Sequence, residues 1–340
     1  MTARDRVINT LCNQICTPVP SFLTIPEFVK KNRISDCAQL RTRFQNDLDL
    51  LDYSLPILSV SKPKSDNRAQ AFDEWGCAWN RSEDEAWSLS DEPRYDDISE
   101  LERLRFPNNP VSMEMTENVN QVCDSNPHFV LIQTRIHPFR RLCALGGTTA
   151  VCKLFQRKPR ELRDIMTRFY EYYRKQLNVW CLTDADGIGI EDDLADDNSG
   201  RISLKRWNEI LVPMFKEFFA KIRSCDKFVF FTGTGNFEEY IPGLISAGVD
   251  CIRFDSSVMD PKLLADRYGN QVTFLPVLRP QMIENETEET LTKKILALRA
   301  SFGDSKIIVE CQMPPKLAPR YTACAMLNIR RRMPQSGDFS

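Results

Sequence analysis

Three stretches carry side chains whose types and spacing could do chemistry. The first, "EDDLADD" at residues 191–197, closes an apolar run. Asp192 or Asp193 there could orient a substrate hydroxyl or amine, or accept a proton if burial raises its pKa. Asp196 and Asp197 fit loop solvation and capping. The second, "DEWGCAWNR", sets Asp73 and Glu74 beside Trp75, Trp79 and Arg81. Acids beside indoles suit a planar or methylated ligand, and equally a hairpin packed by its own tryptophans. The third, "TGTGN", runs from Thr232 through Gly233, Thr234 and Gly235 to Asn236, without a histidine, cysteine or acid. Its glycines would let the backbone approach a ligand, and the following helix N-terminus favours an anion; a plain tight turn uses the same residues. His137 and Arg140 in "RIHPFRR", and Arg279 after "VTFLPVL", stand just past apolar runs. The arginines there can bind a carboxylate or pair with a neighbouring acid.

These residues need elements to hold them. Apolar spacing predicts a first helix over "ARDRVINTLCNQI", a strand "PSFLTI", and one helix over "DCAQLRTRFQNDLDLL" with Asp36 as its N-cap. Residues 71–82 alternate around a central glycine, as a hairpin or a strand with a turn, and the acidic stretch 82–100 reads as a surface excursion. From His128 the rhythm is regular. Strands "HFVLIQTR", "DGIGIED", "KFVFFTG", "CIRFD", "VTFLPVL" and "KIIVEC" alternate with helices, and "PFRRLCALGG" is stopped by Gly146 and Gly147. Buried strands alternating with helices indicate a parallel sheet with right-handed crossovers. Counting "PSFLTI" and 71–77 gives about eight strands, the number that closes a (β/α)8 TIM barrel; no Gly/Ser or Pro linker divides the series, so residues 1–340 read as a single domain.

Composition sets bounds. The 340 residues are 42% hydrophobic and 27% charged, ordinary for a globular chain. A net charge of -2 and a pI near 5.9 give no electrostatic reason to expect nucleic acid or an anionic membrane. The first residues are charged where a signal peptide needs an apolar core, and no apolar run approaches the roughly 20 residues that span a bilayer. A cytoplasmic location is expected. Twelve scattered cysteines without a CxxC pair read as reduced structural thiols, and two histidines supply a zinc site poorly.

The motifs, in order, resemble the uroporphyrinogen decarboxylase superfamily, and more specifically its branch of corrinoid- and coenzyme-linked methyltransferases. "MTARDRVINTL" resembles the opening helix, "FDEWGCAWNR" the Asp-Glu-Trp-Gly segment, and "HPFRRLCALGG" the Phe-x-Arg-x-x-x-Leu-x-Gly helix. "GIGIEDDLADDNSGRISLKRWNEILVP" follows the strand, acidic pair, loop and helix pattern, and "TGTGNFEEYIPGLISAGVDCI" the Gly-Asn turn and its helix. The resemblance implies a (β/α)8 barrel and favours a functional role for Asp192 and Asp193. It also implies that Thr232 and Thr234 stand where zinc methyltransferases of the branch have the His and Cys of His-x-Cys-Gly-Asn, and that Cys311 matches a third ligand position. Hydroxyls are poor zinc ligands, so zinc and its thiolate chemistry are not expected. The Arg-Gln-Ala-Gly-Arg-Tyr loop of classical decarboxylases is replaced by "PEFVKKNRISD", with Lys30, Lys31 and Arg33 as an unpatterned basic cluster.

The implied function is methyl transfer involving a corrinoid protein or a small methyl donor, without a tightly bound cofactor. Decarboxylation of a tetrapyrrole or another carboxylate-bearing substrate is the alternative, and a non-catalytic barrel that binds a small molecule is the second. Asp192 or Asp193, Asp73 or Glu74, and residues 232–236 are expected to converge on one pocket at the C-terminal face of the barrel, with Trp75 and Trp79 excluding water and His137 or Arg140 partnering the acid.

Overall fold

A computed structural model describes residues 1–56, 58–60, 70–81, 87–90, 92–157, 159–193, 202–284, 286–303, 306–314, 316 and 319–330. Eight parallel strands form a nearly closed barrel with helices around it: β1 (Ser21–Thr24), β2 (Leu48–Asp52), β7 (Phe129–Gln133), β8 (Gly187–Asp192), β9 (Phe228–Gly233), β10 (Cys251–Asp255), β11 (Thr273–Leu278) and β12 (Val309–Gln312). Their order is β1-β12-β11-β10-β9-β8-β7-β2, a (β/α)8 TIM barrel. A second, antiparallel sheet holds β3 (Ser59–Val60), β4 (Gln70–Phe72), β5 (Ala78–Arg81) and β6 (Trp87–Leu89). Among the described residues no helix is long and apolar enough to cross a membrane.

The chain divides into two compact units. One comprises Met1–Leu50, Ser125–Leu131 and Asp250–Ser340. Here β1 runs beside β12, with Ser21 opposite Val309, and β10 beside β11, with Cys251 opposite Thr273. The fully buried Glu310 takes two guanidinium bonds from Arg253, at 2.7 and 3.0 Å, and further bonds from Thr24 and Gln312. Four donors on one carboxylate satisfy an interior charge that would otherwise be costly.

The same unit corrects the reading of residues 36–51 as one helix. The helix ends at Arg43, and β2 follows. The cause is tertiary: Asp47 accepts the backbone N–H of Ser21 at 2.9 Å and Asn46 that of Leu23 at 2.9 Å. Asx side chains that bond a neighbouring backbone outcompete helix continuation. Asp36 is not the N-cap either; the helix starts at Ile34, and Asp36 sits in its first turn, accepting from Arg33 at 2.9 Å.

The other unit comprises Leu51–Asp124 and Ile132–Val249. The helix Pro159–Trp180 buries Leu162, Ile165, Met166, Phe169, Tyr173, Leu177 and Trp180, one stripe at helical spacing. β8 and β9 pair in register from Gly187 opposite Phe228 to Asp192 opposite Gly233. Both are almost wholly buried, as parallel strands covered on both faces must be. Residues 71–81 form the expected hairpin, with Gly76 at φ +75 in its turn, but they belong to the antiparallel sheet. The eighth barrel strand is β2 instead. The acidic excursion is only partly loop, because its Trp87–Leu89 segment pairs with β5; residues 82–86 and 91 lie outside the described residues.

Candidate active site

All of the geometry below lies within the second unit unless stated. β7 leads through Thr134 and Arg135 to the helix Pro138–Gly146, whose first residue is proline and whose N-cap, His137, makes no side-chain capping bond. The cap comes from β8. The Asp192 carboxylate accepts the N–H groups of Phe139 at 2.9 Å, Arg140 at 2.7 Å and Asp193 at 3.1 Å. Asp192 is fully buried, and burial pushes its carboxyl up to about 7, although the Arg140 and Phe139 N–H bonds pull the other way. This acid fixes the helix that presents Arg140 and Arg141.

Asp193, one residue on, is part-exposed. Its Oδ1 accepts the Thr234 hydroxyl at 2.7 Å, and its Oδ2 lies 3.2 Å from Nε of Arg140. The other end of the same guanidinium donates to Glu191 at 2.6 Å. The strand register produces this cluster, because Glu191 and Thr232 are directly opposite and the chain ends beyond them run on together.

Asp73 is buried and fully engaged. Oδ1 accepts from Trp75 N at 3.0 Å and Cys77 N at 2.9 Å; Oδ2 accepts from the Trp79 indole at 3.1 Å and from the Arg141 guanidinium. Arg141 also lies over the Trp75 ring, 5.2 Å from its centroid, and Trp75 stacks on Phe169 at 5.6 Å. Asp73 and Trp75 therefore pin the hairpin to the helices beneath it. Glu74 is half-buried, and its Oε2 has no partner among the described residues.

A pocket of about 1110 Å³ opens where β7, β8 and β9 end. Of the residues singled out in the sequence, Trp79, His137, Arg140, Asp193 and Thr234 line it. Asp73, Glu74, Trp75, Arg81, Asp192, Thr232 and Asn236 are absent from its wall. Arg81 instead lies over Trp87, 5.8 Å from the ring centroid, and Trp87 is in the wall. Thr232 is buried, its hydroxyl without a partner among the described residues, and Asn236 accepts Glu238 N at 3.2 Å. Gly233 serves packing, since a Cβ there would meet the Phe237 ring at 2.5 Å; Gly235, at φ +65, is in the wall. Arg279 belongs to the other unit, where it pairs with Asp255 at 3.1 Å. Asp196 and Asp197 lie outside the described residues.

The sequence reading missed Arg135, Arg141, Glu191 and the turn Gly146–Gly147 that opens the helix Thr148–Arg157 into the pocket. Three of these stand in the same "RIHPFRRLCALGG" stretch as His137, so arginine density beside a strand end was the available signal. His137 is buried, and burial together with Arg141, Arg140 and Arg135 holds its pKa well below the usual imidazole range. It faces the pocket as a neutral ring, with Arg141 3.4 Å from Nε2.

The residues do not fit zinc. The Thr234 hydroxyl is committed to Asp193, and Thr232 offers only a hydroxyl. Cys311, in the other unit, is buried, and one cysteine alone does not hold zinc. Among the described residues no group of three or more His, Cys, Asp or Glu could hold a metal ion.

The pocket lies at the C-terminal ends of strands of a (β/α)8 barrel, the end at which barrel enzymes place their active sites. The model of the uroporphyrinogen decarboxylase (URO-D) family matches residues 71–332, and the chain belongs to that family. Among solved structures, a methyltransferase from Methanosarcina mazei aligns over 97% of this chain and 98% of its own, with 12% identity and a TM-score of 0.70. A sugar phosphate isomerase/epimerase from Parabacteroides distasonis aligns over 93% and 97%, with 6% identity and a TM-score of 0.47. A D-psicose 3-epimerase from Clostridium cellulolyticum aligns over 68% and 85%, with 11% identity and a TM-score of 0.42. A comparison with curated proteins returns no match.

Proposed function

We propose that this chain is a cytoplasmic uroporphyrinogen decarboxylase-like enzyme that transfers a methyl group in the second unit's pocket, without a zinc-thiolate step. The observation that carries the proposal is Asp193, a carboxylate in the pocket wall held by both Thr234 and Arg140. In methyl transfer a nucleophile forms a bond to the methyl carbon as the bond to the donor breaks, and the nucleophile sheds a proton. Asp193 accepts that proton, Thr234 and Arg140 fix its orientation, and Trp79 and Trp87 shield the reacting groups from water. At about 1110 Å³ the pocket exceeds the roughly 300–1,000 Å³ of a usual ligand site, room for an acceptor together with a donor. The donor would be a corrinoid carried by a partner protein, or a small methyl donor. The likeness in fold to a methyltransferase supports this choice.

Decarboxylation of a tetrapyrrole or another carboxylate-bearing substrate is favoured by a different observation. Arg135 lines the pocket with a buried guanidinium nitrogen, NH1, that has no partner among the described residues, a natural seat for a carboxylate. The experiment is to mix purified protein with methylcobalamin or, separately, a small sulfonium donor, and a panel of thiol, amine and carboxylate acceptors. Donor loss with a methylated acceptor is the expected result. Release of carbon dioxide without methyl transfer would select decarboxylation, and saturable ligand binding with neither reaction would leave a binding barrel.

A further inference from the structure

The helix Pro138–Gly146 leaves the side chain at its own N-cap idle. His137 holds that position, where a side chain ordinarily accepts a first-turn N–H, yet it makes no capping bond. The reason is Asp192, which reaches over from β8 and takes the N–H groups of both Phe139 and Arg140. The imidazole is therefore free of the capping role while it stands in the pocket wall.

The neighbours of the ring decide where its proton sits. Arg141 places Nη2 3.4 Å from Nε2 of His137. A guanidinium offers donors and no acceptor, so Nε2 is the acceptor in that contact and carries no hydrogen. The guanidinium is held there, because Nη1 is paired with the buried Asp73 and the group lies over the Trp75 ring. In a neutral imidazole the proton must then sit on Nδ1. The surroundings keep the ring neutral. Burial opposes a second proton, as do Arg141 and Arg140 on the same helix and Arg135 after β7. The carboxylates of Glu191 and Asp193 are engaged by Arg140 instead. From the helix Pro159–Trp180 comes Tyr173, its ring 6.3 Å from the imidazole, with a phenol that burial holds protonated. The Nδ1–H has no partner among the described residues, and 8% of His137 stays accessible.

We propose that the Nδ1–H of His137 points into the pocket and is a fixed hydrogen-bond donor to a carbonyl-type oxygen of the substrate. This rests on the reading of the second unit's pocket as the substrate site. The proton stays on Nδ1 throughout, because the only other position for it, Nε2, faces a cation. His137 is thus a binding group and not a base. It and Asp193 divide the work: Asp193 accepts the proton that the nucleophile sheds, and His137 orients the same molecule through its oxygen. The substrates taken are those with a carboxylate or amide oxygen beside the group that is methylated. Arg135 and Arg140 in the same wall make a carboxylate the better fit of the two.

The chain has two histidines, His128 and His137, so isotopic labelling of histidine nitrogen in the full chain gives two imidazole spectra, and His137→Asn assigns them. The expected result is His137 in the Nδ1–H form, unchanged between about pH 5 and 8. Acetate should move the Nδ1–H resonance, and acetamide should move it less. In the methyl-transfer assay His137→Phe, which keeps a ring and loses the donor, should raise KM by roughly 10-fold with little change in kcat. His137→Asn, whose amide nitrogen stands where Nδ1 does, should restore most of the loss. An Nε2–H form, or a doubly protonated ring at neutral pH, overturns the proposal. So does an Nδ1–H resonance that acetate and acetamide both leave unmoved. Turnover with wild-type KM in a folded His137→Phe protein overturns it as well, while the methyl-transfer reading stands. A responsive Nδ1–H in a protein that transfers no methyl group upholds the donor and rejects the reaction alone. The wild-type spectra decide the matter if His137→Phe does not fold.

Discussion

The Thr234 hydroxyl donates to Oδ1 of Asp193 at 2.7 Å, joining the loop after β9 to the acid that follows β8. The loop itself contributes no acid, base or thiol. Its chemistry is to hold a carboxylate supplied by the neighbouring strand, whose other oxygen is held by Arg140. Register makes this possible: with Asp192 opposite Gly233, the residues that follow each strand are brought out together.

Thr234→Val should therefore lower methyl-transfer turnover with little effect on folding, and Thr234→Ser should restore most of it. A hydrogen bond to a charged group is worth about 1.5–3 kcal/mol, or roughly 10- to 100-fold in rate if it is fully expressed in the transition state. Steady-state kinetics of the three proteins provide the check. Equal turnover in wild type and Thr234→Val would remove the loop from the site.

Asp73→Ala should destabilise the fold by about 3–5 kcal/mol, because it strands the buried Arg141 charge and three further donors. Urea unfolding of the variant against wild type measures this. A loss below about 1 kcal/mol would mean that the hairpin is held by its tryptophans instead.

Asp192 makes stability depend on pH in a set direction. Its folded pKa is raised from 3.8 to about 7, so across that window the native state keeps a proton that the unfolded chain has released. The contribution is fully present below about 4 and is lost as pH rises through 7. Asp192→Asn removes it, and the stability advantage of wild type over this variant should shrink from pH 4.5 to about 7.5. Parallel urea titrations along the pH axis test the sign; an advantage that grows with pH would show that the three N–H bonds, not burial, control this acid.

Purified protein should carry no stoichiometric zinc, since hydroxyls stand at Thr232 and Thr234 and Cys311 alone does not hold the ion. Elemental analysis finding one tightly bound zinc per chain, lost on Cys311→Ala, would contradict this.

Local spacing was enough for the strands from β7 onward, since runs such as "FVLIQ" and "KFVFF" have no helical alternative of that length. It failed at β2, where Leu48 and Leu51 continue the helical spacing of Leu40 and Phe44. What breaks the helix is Asn46 and Asp47 bonding a strand more than twenty residues away in the chain. The site divides in the same way. Asp193, Thr234, His137 and Arg140 were legible because each follows a strand. Asp73 looked like a site acid because its partner Arg141, 68 residues on, cannot be read from its neighbours. Asp192 and Asp193 are adjacent acids in the sequence, and only the arrival of the helix Pro138–Gly146 over Asp192 gives them different roles.

The most direct measurement is turnover of Asp193→Asn in the methyl-transfer assay, with its unfolding midpoint measured alongside. Loss of the proton-accepting group should lower the rate by roughly 100-fold or more, as removal of a general base does, while the midpoint stays near wild type because Asp193 is part-exposed. Wild-type turnover in a folded Asp193→Asn protein would contradict the account.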